Sequence, residues 1–225
     1  MNSIFAQNDD VPTPIWVLML LLFGMGNLAH AADVVSQPTV HVGDVWKYNR
    51  MDGFTNEVLH EYVRRVVAVS DSEITIRQET KGQEGVVIIA YDPFWNVIDD
   101  GSFKYEPSNG INSFPAIIGK VMKKEYRVKN LKTGSFAACR VSGQYVGWEK
   151  VTVPAGTFNA LRLEDEIECR GTDAEAAINR TAHKSWYAPV VNRLVRMEEQ
   201  TTRDGRIRNK QAAELVGYYP AVSVK

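Results

Sequence analysis

Apolar and polar positions alternate along most of the chain from residue 43 onward. "GDVWKYNRM" at 43–51 and "EVLHEYVRRVVAV" at 57–69 flank Asp52 and Gly53, and each shows the period of two expected of a half-buried strand. If Asp71 and Ser72 form a two-residue turn, Val69 falls opposite Ile74 and Val67 opposite Ile76 on one apolar face. "GVVIIAY" at 85–91 is apolar throughout, which predicts a central strand. Residues 92–115 break the rhythm with Pro93, Pro107 and Pro115, yet carry Phe94, Trp95, Phe103, Tyr105 and Phe114. Such an aromatic loop predicts a packed cover for the core, with a binding rim as the alternative.

The strongest single pattern is "EKVTVPAGTFNALRLE" at 149–164. Pro154 suits the first central position of a type I turn, and Gly156 can take the left-handed conformation that closes a three-residue hairpin loop. That loop sets Val153 opposite Thr157, Gly147 opposite Leu163 and Gly143 opposite Ile167. Val151, Tyr145, Val141 and Cys139 then share an apolar face with Leu161, Leu163, Ile167 and Cys169. Arg140, Gln144, Lys150, Arg162, Glu164, Glu166 and Glu168 share the polar one. Trp148 falls opposite Arg162, which predicts a cation–π contact. Glycines facing large side chains let a sheet bend, so the ribbon is expected to curve around its apolar side. Cys139 and Cys169 lie one diagonal step apart in this register. Bulges at Gly143 and Gly147 would bring them together as a disulfide.

After residue 171, "TDAEAAINR" at 172–180 places Thr172 and Glu175 at capping-box spacing, predicting a short helix or ordered loop. Strands resume at "AHKSWYA" and "NRLVRMEEQTT", and Asp204-Gly205 marks another hairpin before "ELVGYYP". "HVGDVWKY" and "IIGKVMKKEYRV" resemble each other, so a domain over 32–225 divides into sequence halves at about 38–113 and 114–220. So short an echo also arises by chance. The expected fold is all-β: a curved antiparallel sheet, or half-barrel, with one short helix or ordered loop near 172–180.

Ahead of this domain, "IWVLMLLLFGMGNL" at 15–28 carries no charge and leads to Ala29-His30-Ala31. A run of 14 residues is short of the ~20 that span a bilayer. It is followed by the small-x-small pattern of signal cleavage, which predicts export with a cut after Ala31 and no stable membrane span afterwards. The upstream residues carry Asp9 and Asp10 and no Lys or Arg, a departure from the usual signal. No cysteine stands near the cut to receive a lipid, so a free periplasmic or secreted protein is expected. A membrane anchor is disfavoured by the length of the run, and a buried core helix by its lack of an amphipathic pattern.

Beyond Ala31 there are 26 basic and 25 acidic residues, a balance that gives no reason to expect nucleic acid as a partner. Two cysteines without a histidine cluster do not make a zinc site. His41, His60 and His183 show no ligand spacing, and no G-x-S-x-G elbow, P-loop, dinucleotide fingerprint or H-E-x-x-H occurs. No catalytic residue, metal or cofactor is therefore expected. Glu164, Glu166 and Glu168 offer paired carboxylates for a hydrolase only if their face, expected to be solvated, forms a cleft.

"VTVPAGTFNALRLE", "SWYAPVVNRLVRMEE" and "AELVGY" resemble a family of uncharacterised exported bacterial proteins with VPAGTF and WYAP motifs, over residues 149–219. "FPAIIGKVMKKEY" extends the likeness to 114, and upstream only "VGDVWKY" matches. The family is similar to half-barrel periplasmic lipoprotein carriers, so the resemblance implies a concave apolar groove and no established activity. Val190, Val191 and Asn192 depart from the family's Gly-Val-Gly after WYAP.

The expected function is non-enzymatic: an apolar ligand such as a lipid or acyl chain, or a cell-envelope protein, held against the concave face. Candidate lining residues are Tyr145, Val151, Leu161, Leu163, Ile167 and Trp186, with Pro154, Gly156, Gly143 and Gly147 shaping the sheet. The alternative is an assembly module acting through a sheet edge or the 92–115 loop.

Overall fold

A computed structural model describes residues 35–171 and 178–221. The predicted signal at 1–31 lies outside the described residues, as does the capping box at Thr172 and Glu175. Ile178–Arg180, the remainder of the predicted helix or loop, opens a strand.

Among the described residues, twelve antiparallel strands follow one another around a closed barrel: β1 Val45–Asp52, β2 Val58–Val69, β3 Ile74–Thr80, β4 Val87–Tyr91, β5 Val97–Asp99, β6 Phe103–Glu106, β7 Val121–Asn130, β8 Phe136–Val153, β9 Gly156–Gly171, β10 Ile178–Ala188, β11 Arg193–Arg203 and β12 Arg206–Tyr219. Each pairs with its neighbour in sequence, and β12 pairs with β1 from Val45–Tyr219 to Asp52–Gln211. The all-β expectation holds, and the curvature goes further than a half-barrel. Among the described residues, closure gives every strand a partner on both sides. Asp44 supports the seam: its carboxylate accepts from the backbone of His41 (2.9 Å) and of Ala221 (2.8 Å).

The predicted loop at 92–115 supplies β5 and β6, which complete the wall between β4 and β7. Trp95 and Phe114 serve as cover, whereas Phe103 is exposed. The Trp95 indole donates to Asn192 O (2.9 Å) and meets Trp46 edge-on, and Phe114 packs on Tyr187. The apolar run in β4 is central in the sheet but covered on one side only: Ile89 and Tyr91 are buried while Val87 and Ile88 are exposed. In the β2–β3 hairpin Val69 faces Ile74 as expected, but Val66 rather than Val67 faces Ile76, because Val67 is an extra residue in the ladder.

The ribbon around Pro154 departs from its expected register by two steps. The loop has two central residues, Pro154 and Ala155, so Val153 faces Gly156 and Thr152 faces Thr157. A bulge at Val146 then removes a second step, so Tyr145 faces Leu163, Gly143 faces Asp165 and Gly147 faces Arg162. Cys139 arrives directly opposite Cys169, and the two are joined as a disulfide. The bulge also reverses the alternation. Val151 now opposes Phe158 and lies on the other face from Leu163. The hairpin tip reaches β12, where Ala155 N donates to Leu215 O (3.0 Å). Val151 and Val153 are buried there in the hydrophobic core.

Candidate functional site

Two faces of the wall have different chemistry. Along β8–β12 an open groove of about 770 Å³ runs past Gln144, Glu164, Glu166, Lys184 and Glu198 and reaches Asp165, His183 and Glu199. Several charges on and beside it are paired. Arg162 binds Glu149 (2.5 Å) and Glu164 (3.4 Å), Arg196 binds Glu198 (2.7 Å) and Glu214 (3.4 Å), and Glu168 bridges Arg140 and Arg180. Glu164 and Glu168 belong to this ion network, while Glu166 is exposed and outside it.

The lumen contains a cavity of about 420 Å³ bounded by tyrosine rings and by Leu163 and Ile167. Of the six predicted lining residues, only Leu163 and Ile167 border it. Tyr145 is buried beside the 107–116 segment, where its hydroxyl meets the backbone of Ser113, and burial first of all holds its pKa up at about 12. Leu161 and Val151 belong to the packed core. Trp186 pairs with Arg162 on the face away from Leu163, its indole donating to Glu149 (2.7 Å) beneath the Arg196 guanidinium. The predicted Trp148–Arg162 stacking is absent, because the bulge moves Trp148 opposite Leu161. Gly147 flanks the bulge at Val146, and Gly143 lies three residues before it. Gly143 lies so close to β9 that a Cβ there would sit 2.7 Å from Asp165 Cα.

Charged residues missed at the sequence level converge on the same lumen. On the β9–β10–β11 wall, Asp165 faces His183 and His183 faces Glu199. His183 Nδ1 is 3.0 Å from Asp165 and Nε2 is 3.5 Å from Glu199, whose other oxygen accepts from Gln211 (2.7 Å). Burial would lower the histidine pKa. The hydrogen bonds and negative charge of Asp165 and Glu199 outweigh it and raise the value to about 9. The result is an imidazolium with both nitrogens engaged and no lone pair free to act as a base.

This pairing makes stability depend on pH in a defined direction. The unfolded histidine titrates near 6.5 and the folded one at about 9. The stabilisation is therefore complete below 6.5 and is lost as pH rises through 9. Its full extent is about 3 kcal/mol, since each pH unit separating the two titrations is worth ~1.4 kcal/mol. Urea midpoints compared across that window should fall in the wild type and move much less in His183→Gln. Arg50 also helps hold the Glu199 pKa down.

At the other side of the cavity stand Arg64 of β2 and Arg193 of β11. The Arg64 Nε donates to the Gln78 carboxamide (2.8 Å) and its guanidinium lies 5.1 Å over the Tyr62 ring. Arg193 is 5% exposed and lies 3.9 Å over Trp95, 4.9 Å over Tyr91 and 5.2 Å over Trp46. Tyr91 would be pushed up by burial, but the two guanidiniums pull its pKa below the ordinary phenol value. A sequence signal existed for this set. Arg64 shares alternate positions with buried Tyr62 and Val66, Asp165 with Leu163 and Ile167, and Arg193 with Val195. Charge at an apolar phase of a strand marks an inward-facing ion.

Among the described residues no cluster of three or more His, Cys, Asp or Glu is arranged to hold a metal ion, and no helix is long and apolar enough to cross a membrane.

No protein-family profile matches the chain, and no curated protein matches it. Similar solved structures include a candidate lipoprotein from Parabacteroides distasonis (14% identity, 83% of this chain and 100% of that one, TM-score 0.48). A candidate exported protein with YmcC-like fold from Bacteroides fragilis is similar at 14% identity, over 83% of this chain and 99% of that one, with TM-score 0.49. The hypothetical lipoprotein YmcC from Escherichia coli is similar at 7% identity, over 80% and 86% of the two chains, with TM-score 0.46. Likenesses this distant do not bear on the role of the present chain.

Proposed function

We propose that the protein is an exported, non-enzymatic binding protein that takes a small ligand with an apolar body into the barrel interior. The cavity of about 420 Å³, walled by Tyr48, Tyr62, Tyr91, Leu163 and Ile167, is the observation that supports this reading. Its size falls in the range that encloses one small organic molecule. The signal-like run ending at Ala31 supports a site outside the cytoplasm, in the periplasm or beyond the cell, on the single domain that follows. The ligand belongs to the acyl or lipid-like class, held inside a closed wall rather than along an open groove. Capture of an envelope protein through a free strand edge has no support in a sheet whose described strands are all paired on both sides.

Titration with a neutral hydrophobic dye tests the reading. Saturable binding at one site per chain, displaced by a medium-length acyl compound and abolished by filling the cavity with Ile167→Trp, is the expected result. A dye that never saturates, or that binds Ile167→Trp as well as wild type, overturns it.

A further inference from the structure

Of the four arginines that border the cavity, Arg50 acts on Glu199 and Arg196 pairs with Glu198 and Glu214, which leaves Arg64 and Arg193. Among the described residues neither Arg64 nor Arg193 forms an ion pair with a carboxylate. Arg193 Nη1 is buried with no hydrogen-bond partner. The acids that border the cavity are already engaged. Asp165 and Glu199 hold His183, and Asp100 accepts from the Tyr105 hydroxyl (2.8 Å) and from the backbone of Ser102 and Phe103. Aromatic faces around Arg193 compensate part of its lost hydration, but a ring face satisfies no N–H donor in the guanidinium plane.

A buried cation left unpaired is costly, and an apolar side chain of similar volume would plug the barrel at least as well. Arg193 is such a cation, and the half-buried Arg64, bonded to Gln78, converges with it on the same phenols: both guanidiniums act on Tyr48 and on Tyr91. Both border the cavity. Guanidinium is the side chain best suited to a planar or tetrahedral oxyanion, which it meets with parallel N–H donors.

We infer that Arg64 and Arg193 form the head-group site of the cavity and select ligands ending in an oxyanion, a carboxylate or a phosphate monoester, on an apolar body. This rests on the binding function proposed above and names its ligand class. The oxyanion accepts from the free Nη1 donor of Arg193 and from Arg64, and the tyrosine rings with Leu163 and Ile167 enclose the apolar remainder. Asp165 and Glu199, on the other wall, repel the same head group and so fix which way round the ligand enters.

Calorimetric titration of the full chain with decanoate, decyl phosphate and decanol separates the possibilities. At least one anion is expected to bind about thirtyfold more tightly than decanol, the scale of charge-assisted hydrogen bonds. The better of the two anions identifies the head group. In Arg193→Met and in Arg64→Met the preference should shrink to about threefold while decanol binding is kept, since one charged contact is lost and the apolar contacts remain. Either variant alone suffices if the other fails to fold. In the wild type, anion binding should also raise the pH at which Tyr91 ionises, read from tyrosinate absorbance, because the ligand cancels the field that holds it down.

Equal affinity for all three compounds overturns the head-group assignment and leaves the binding function standing. An anion preference unchanged in both methionine variants overturns it as well. Failure of all three compounds to bind overturns the function and the assignment together.

Discussion

Trp46→Ala should lower the stability of the barrel by about 4 kcal/mol, the scale of removing a fully buried tryptophan without refilling its space. Trp46 is 0% exposed. It stacks on Tyr218 at 5.5 Å, meets Trp95 edge-on at 5.7 Å, supports the Arg193 guanidinium and donates its indole N–H to Val191 O at 2.9 Å. The substitution therefore leaves a void and also orphans a carbonyl, and it strips one aromatic face from a buried cation. Chemical unfolding should show a lower urea midpoint with an unchanged slope. A loss below about 1 kcal/mol, close to that of an ordinary surface substitution, would mean that this cluster does not plug the barrel.

Gly143→Ala should cost about 3 kcal/mol, at the upper end of what overpacking produces. The added methyl would lie 2.6 Å from Asp165 Cβ and 2.7 Å from its Cα, and would press on the Glu164 carbonyl. These are backbone and near-backbone atoms of the paired strand, so no rotamer change relieves the contact. β8 and β9 must separate where Asp165 holds His183, and the pH dependence of stability should weaken along with the urea midpoint. A Gly143→Ala protein as stable as wild type would show that the two strands do not approach this closely.

Much of the fold is legible in the sequence because antiparallel strands with one buried face write their geometry into every second residue. The ribbon through Pro154, its charged and apolar sides and the Cys139–Cys169 pairing can all be read this way. The register cannot, since it depends on a single extra residue at Val146 that no local pattern announces. That one residue decides whether Val151 shares a face with Leu163. β5 and β6 escape notice because three and four residues are too few to display alternation. Closure itself rests on β1 meeting β12 across nearly the whole chain, a pairing with no local signature.

The site was less legible than the scaffold. An apolar reading of the inner face follows from Leu163 and Ile167, but it passes over Asp165 between them. His183 is unremarkable until β10 is set against β9, and residues 172–177 separate those strands in sequence. Arg64 and Arg193 look like ordinary surface cations by composition. Only their phase relative to Tyr62, Val66 and Val195 marks them as inward.

Because the first strand finds its second partner only in the last, synthesis order matters for this molecule. Until Arg206–Tyr219 is delivered, β1 and β11 each present an unsatisfied row of amides and carbonyls. Such rows are templates for mispairing between nascent copies. Long-range closure also makes folding slow. The barrel is therefore a product of the finished chain, and a chaperone that shields β1 in the interval would raise its yield more than one acting after the ends have met.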